Sequence, residues 1–553
     1  MQRLEGYFAH RFGQQALLPA DHPFKSSPPM VTSGTTSTTG DVSALGSPSQ
    51  NWSVGFLSEM QTDSFYGGQQ PLPADDWAYP RDFTAPELAR FKSTFLPGGN
   101  YGFHGIRLPL DGFAMHRARE TDGTTGLIRK SGYLNGVLAS IASFLANVVN
   151  EGGGVYPEHW GFPPWFKTNP NSGTSQFGYG TLWAGGSYAR NITLASIRTT
   201  DTTQFNIQIG LITDYIIDVL EYIHGSVPVR GYGFFNEAGN TANAIYGTVD
   251  LDDEATYAAI VKRGIEKIRA SAVLSTWGGQ PNTVIFYANN WDGLQGRGST
   301  LISDAEVLTT GKTAWQEIAL VTDHSITANG NDADDVKSKT TLIAGRGKPF
   351  CQNEMEHFNT YTDTASGSYK TPQFRAMNLA LKTANYIVVG GATMDVPIIH
   401  FTKPIGQTDV DSNTEGYGLT QTRLPSPFGQ APTTPGDTHP DIGHGAWGEI
   451  AVNSMGVKPL LHLPKGSTIF KLDGSVIAGQ QGFGWRSPSG KTGRVFVNRT
   501  ASASPKTLGL PSAKVMKGRR YSYDNGEQDL GTLNASRIDM ALPAWSCEVW
   551  VEQ

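Results

Sequence analysis

From Asn51 to about residue 455, short apolar runs alternate with longer amphipathic stretches along the chain. The runs are WSVGFLSEM, FHGIRLPLD, GGVYPEHWGF, VRGYGFFNE, TVIFYANNW, IALVTDHSI, KPFCQNEME and VPIIHFTKP. Brief apolar runs bounded by turn residues suit strands covered on both faces, and stretches with a 3.6-residue period suit the helices that cover them. Eight strands, each followed by a helix, is the number that closes a parallel barrel. One helix is especially plain. In LITDYIIDVLEYIHG the residues Leu211, Ile216, Val219, Leu220 and Ile223 make an apolar stripe, and Gly225 supplies a stop just before VRGYGFFNE.

After about residue 456 the helical period ceases. STIFKL, GRVFVNRT, AKVMKGRRYSY, RIDMAL and SCEVWVEQ follow with turn residues between them, the pattern of a β-sandwich. Residues 26–50 are rich in Ser, Thr, Gly and Pro and read as a linker or extended arm behind a short N-terminal segment. The expectation is an α/β protein: a (β/α)8 TIM barrel over 51–455, a C-terminal β-sandwich over 456–553, and an arm over 1–50.

Composition narrows the function. In 553 residues, 65 Gly and 32 Pro against 17% charged residues exclude a coiled coil or a disordered chain. The net charge of -6 comes with no Lys/Arg block, so neither nucleic acid nor an anionic membrane is an expected partner. No apolar leader and no membrane-length apolar window is visible; extracellular or particle-borne action stays compatible with this. Cys351 and Cys547 both fall in strand-like runs and read as separate buried thiols. The Walker, dinucleotide-binding, His-Glu-X-X-His, CxxC and EF-hand spacings are missing, so no cofactor and no metal are expected.

Two carboxylates stand out. Glu237 follows Asn236 at the end of VRGYGFF, and Glu354 ends PFCQN. The stretch between them leaves room for roughly three βα units, as a fourth and a seventh strand of one barrel require. Retaining hydrolysis of a glycosidic bond needs one protonated carboxyl and one ionised carboxylate about 5 to 5.5 Å apart. An arbitrary Glu at a strand end is usually just solvated; two in the right order, one behind an amide able to bond a sugar hydroxyl, favour chemistry. Glu356 competes with Glu354, because strand alternation puts both on one face.

At this point the chain resembles glycoside hydrolase family 30, in the large clan of retaining barrel enzymes. Ile106-Arg107-Leu108-Pro109 is similar to its second-strand motif, and Trp160-Gly161-Phe162-Pro163-Pro164-Trp165-Phe166-Lys167-Thr168-Asn169 to its third. Val54-Gly55-Phe56-Leu57-Ser58 resembles the first-strand segment but carries Leu57-Ser58 where glycines are usual, and Leu542-Pro543-Ala544-Trp545-Ser546 resembles the closing strand of the sandwich. The resemblance implies that an N-terminal strand is shared with that sandwich. It implies that Glu237 is the general acid/base, Glu354 the nucleophile, Asn236 a hydroxyl contact and Trp160 a subsite wall. It places Arg107 beneath the mouth, either holding a carboxylate or in a structural ion pair, and His324 near the nucleophile or packed in the core. Asn289, Asn290, Trp291 and His400 end strands where sugar contact competes with loop packing, and Trp165 and Lys167 serve equally well to anchor the third loop. The expected partner is a β-linked oligo- or polysaccharide. The rivals are a neighbouring clan family acting on galactans or uronic-acid glycans, and a non-catalytic carbohydrate-binding surface or virion protein.

Overall fold

The computed structural model describes residues 41–42, 45, 48–59, 102–111, 138, 142–143, 145–146, 153–168, 181–235, 254–288, 307–325, 348–355, 371–389, 391–397, 401–402, 420–421, 448–449, 455–472 and 479–553. Eight of its strands form a closed ring: β1 (Gly55–Glu59), β2 (Gly105–Asp111), β3 (Val155–Gly161), β4 (Gly231–Gly233), β5 (Ile285–Ala288), β6 (Ile318–Ser325), β7 (Phe350–Met355) and β8 (Ala392–Pro397). Each is parallel to both neighbours, and β8 closes on β1 with Met394 opposite Gly55.

Alternation along the strands sorts their side chains into two layers. Leu57, Tyr156, Tyr287, Leu320 and Cys351, each from a different strand, pack together inside the ring with Val54. The intervening Phe56, Ile106, Leu108, Val155, Tyr232, Phe286 and Val321 face the helices. Helix α1 (Thr202–His224) begins well before the stripe read from the sequence, at Asp201, whose carboxylate accepts from Gln204 N at 3.0 Å. It buries Phe205, Ile209, Ile212, Ile216, Val219 and Ile223, a spacing of three and four that lays one face on the barrel. The helix ends at Gly225, whose N–H bonds back to Glu221 O. α2 (Glu254–Ala270) and α3 (Pro372–Val388) follow β4 and β7.

The eighth strand differs from the sequence expectation. It is Ala392–Pro397, earlier than VPIIHFTKP, and Phe401–Thr402 pairs instead with Thr420–Gln421 in a small separate sheet. Pairing with β1, Met394 opposite Gly55 and Asp395 opposite Phe56, decides this, although the more apolar stretch lies after it.

The C-terminal region comprises β9 (Thr468–Lys471), β10 (Gln480–Arg486), β11 (Thr492–Asn498), β12 (Lys506–Ser522), β13 (Gly526–Met540) and β14 (Ser546–Glu552). With two earlier segments they make a single eight-stranded sheet. Pro48–Asn51 pairs antiparallel with β9, and Asp41–Val42 pairs parallel with β12. Both faces are apolar. Val495, Val497, Cys547 and Val549 belong to the core that α3 shares, whereas Phe496, Met516 and Trp550 pack under Leu508, Leu510, Ile538 and Met540 from the far halves of β12 and β13. The two-layered arrangement thus comes from one hydrogen-bonded sheet closing over itself. Gln481 Nε2 donates to Asn385 Oδ1 of α3 at 2.9 Å, joining sheet to barrel. Cys351 and Cys547 are buried thiols outside any disulfide, in β7 and β14.

Strand β10, QQGFGWR, carries no clear apolar signal, because two of its residues are glycines and two are glutamines. Glycine recurs in this sheet where tryptophan needs room. Trp485 stands opposite Gly493, where an added Cβ would lie 2.1 Å from the indole. Gly493→Ala is therefore expected to destabilise the sheet by about 1–3 kcal/mol through overpacking, read as a lower denaturant midpoint; an unchanged midpoint would show that the Trp485 indole can move aside.

Candidate active site

The strands of a parallel barrel all point their C-terminal ends at one mouth, so the last residues of each strand meet there. Glu354 is the penultimate residue of β7, His324 of β6 and Trp160 of β3. In backbone register His324 stands opposite Glu354. Strand β4 ends at Gly233, and Phe234 and Phe235 behind it are buried, so the chain is firmly held up to the residue before Asn236. Asn236, Glu237, Asn289, Asn290, Trp291, Glu356 and His400 lie outside the described residues.

Below this rim, on the interior side, is a polar cluster. Alternation that turns Leu57, Tyr156 and Cys351 inward also turns in Glu158 of β3 and Asn353 of β7. Glu158 is fully buried, and Arg107 of β2 is 1% exposed. Arg107 grips the carboxylate from the side: Nη2 donates to Oε1 at 2.5 Å and Nε to Oε2 at 3.4 Å. Asn353 Nδ2 donates to the same Oε2 at 2.9 Å. A lone charge here would be prohibitively desolvated, and the pair is tolerable because each ion meets the other with directed hydrogen bonds. Arg107 thus holds a carboxylate within the barrel, and the one described at it is Glu158. No sequence motif had singled out Glu158 or Asn353. The available signal was parity, since Glu158 lies between Tyr156 and Trp160 on the same face of one strand.

Around the cluster the groups are neutral. Burial pushes the Tyr156 phenol up to about 12 and raises those of Tyr232 and Tyr287 further. Tyr287 Oη donates to Pro157 O at 3.1 Å. His159, on the outer face of β3, is drawn down by burial to about 3; its Nδ1 lies 2.7 Å from Tyr232 Oη and its ring stacks on Phe162.

The segment after β3 is pinned by Arg190. Its Nη1 donates to the carbonyls of Trp165 and Lys167, each at 2.9 Å, while the guanidinium lies 3.9 Å above the Trp183 ring. Lys167 is buried and Trp165 half-buried beside Phe166 and Tyr215. Through these contacts both residues brace the wall that leads away from Trp160.

No family model matches the chain, and no curated protein matches it in sequence. Solved structures do match. An endo-beta1,6-glucanase superposes with a TM-score of 0.57 at 13% identity, covering 92% of this chain and 93% of its own. The family 30 subfamily 8 xylanase Xyn30A from Clostridium acetobutylicum gives 0.53 at 12%, covering 91% and 97%. A GH30 endoxylanase from Clostridium papyrosolvens C71 gives 0.51 at 12%, covering 92% and 98%. Both domains enter these superpositions, so the protein has the fold of the family 30 glycoside hydrolases, a (β/α)8 barrel joined to a C-terminal β-domain.

Proposed function

We propose that the protein is a retaining glycoside hydrolase acting on a β-linked oligo- or polysaccharide. Glu354 attacks the anomeric carbon while Glu237 protonates the departing oxygen; Glu237 then takes a proton from the water that releases the glycosyl-enzyme. The single observation that carries the reading is the closed eight-stranded ring, in which β4 leads into Asn236-Glu237 and β7 bears Glu354 three strands away. The solved glucanase and xylanases of the same fold support it.

The chemistry asks for unlike protonation of two like groups. The ionised Glu354 raises the pKa of Glu237 and keeps it protonated, and glycosylation of Glu354 removes that charge and turns Glu237 into a base. Asn236 bonds the hydroxyl beside the reacting carbon, Trp160 offers a flat wall to a sugar face, and His324, Asn290 and Trp291 line the approach. Arg107 lies beneath, its charge held in place by Glu158.

The test is incubation with a panel of β-glucans, xylans, galactans and bacterial exopolysaccharides, with products resolved by size and the first-formed anomer read by proton NMR. The expected result is release of sugars from one polymer class with the β-anomer formed first. First formation of the α-anomer would exclude double displacement. Binding without any release would make the protein a carbohydrate-binding component instead.

A further inference from the structure

Strand β7 is irregular at the place where the proposed chemistry needs it fixed. Its ladder with β6 slips between Asp323 and His324, so that Gln352 and Glu354, two residues apart, face consecutive residues of β6. On the other side, its ladder with β8 slips between Phe350 and Gln352 and again between Gln352 and Met355. Such bulges re-aim a side chain, and they also loosen the backbone grip on it. The backbone pairing of β7 therefore leaves the position of Glu354 underdetermined.

A side chain supplies the missing constraint. In a ring of eight, β3 and β7 are four strands apart in either direction, so the bond from Asn353 Nδ2 to Glu158 Oε2 crosses the full barrel. It ties down the residue immediately before Glu354. The same carboxylate accepts from Nε and Nη2 of Arg107. We propose that Glu158 is a positioning residue for hydrolysis, holding β7 through Asn353 from across the barrel and seating the Arg107 charge beneath the two working carboxylates. This rests on the reading of Glu354 as the nucleophile.

Among the described residues, the charged and titratable groups that feel Glu158 include Arg107 from β2, Tyr232 from β4, Tyr287 from β5 and Tyr257 from α2. Burial raises all three phenols and keeps them neutral, so among these groups the Arg107–Glu158 pair alone carries charge.

Glu158→Gln keeps the shape and an acceptor for Asn353 but removes the negative charge beside Arg107. Loss of a nearby negative charge favours ionised carboxylates, so both limbs of the kcat/KM–pH profile should move to lower pH by about half a unit or more. Asn353→Ala keeps the ion pair and cuts the strut; kcat should fall by about tenfold to a hundredfold, with KM within about twofold and the pH limbs in place. A folded Glu158→Gln with the parent pH limbs would overturn the proposal. If that variant fails to fold, Asn353→Ala decides: parent kcat overturns the proposal and the expected loss sustains it. Glu354→Ala in the same assay separates the two readings. Full activity there removes the nucleophile assignment and this inference with it. An inactive Glu354→Ala beside parent-like Glu158→Gln and Asn353→Ala removes the inference alone.

Discussion

Glu354→Ala is expected to lower kcat by at least about 10³-fold while leaving binding of the substrate largely intact, because in its proposed role the lost group acts on the anomeric carbon rather than on distant sugar hydroxyls. The variant also discriminates between the two candidate nucleophiles, Glu354 and Glu356. A small anion such as azide fits the space vacated by the carboxylate and attacks from the same side, so adding it to Glu354→Ala should restore turnover of an activated aryl glycoside and yield the α-glycosyl azide. In Glu237→Ala the covalent intermediate still forms, and azide should yield the β-glycosyl azide. Opposite anomers from the two variants would assign the roles directly. Full activity of Glu354→Ala, with loss and azide rescue at Glu356→Ala, would move the nucleophile two residues along the chain.

The second large effect is on stability against acid. Among the described residues, buried His159 and half-buried His104 and His462 are held neutral by the fold. Burial draws His159 to about 3 and His462 to about 4; burial followed by the Lys465 charge draws His104 to about 4. In the unfolded chain each titrates near the ordinary value of about 6.5. Between these limits the unfolded state binds more protons than the folded one, so stability rises with pH across the window and is lost as the pH falls from about 6.5 towards 4. Each histidine contributes on the order of 1 kcal/mol per pH unit.

The placement of two of them makes the loss structural. His104 Nδ1 accepts from Phe56 N of β1 at 3.1 Å, and His462, on the segment leading to the C-terminal sheet, lies 2.6 Å from Tyr521 Oη of β12. Denaturant midpoints at pH 7, 5.5 and 4.5 should fall steeply, and His159→Phe, which retains an aromatic ring against Phe162, should flatten the dependence by roughly one histidine's share. Midpoints constant from pH 7 to 4.5 would show that these rings are not held neutral.

Much of the architecture was legible from patterning. Seven of the eight barrel strands, the helix leading towards Glu237 and five strands of the C-terminal sheet fall where apolar runs lie, because a barrel strand covered on both faces must be apolar along its length. Strand β10 was not legible, since its glycines give up apolar character to seat large neighbouring side chains. Strand β8 was misplaced because it carries Thr393 and Asp395 and the more apolar stretch begins at its end.

The polar core was even less legible. Glu158 looks like any strand carboxylate until the ring brings Asn353 from 195 residues away to its Oε2. Local pattern alone determined where most of the strands and the helix before β4 lie, and that Glu354 falls near a strand end, because those properties depend on neighbours a few residues apart. Only the tertiary structure decided how the ring closes and which buried charge meets which partner. Those outcomes depend on groups that share no local sequence, and desolvation leaves a buried carboxylate no choice but to find them.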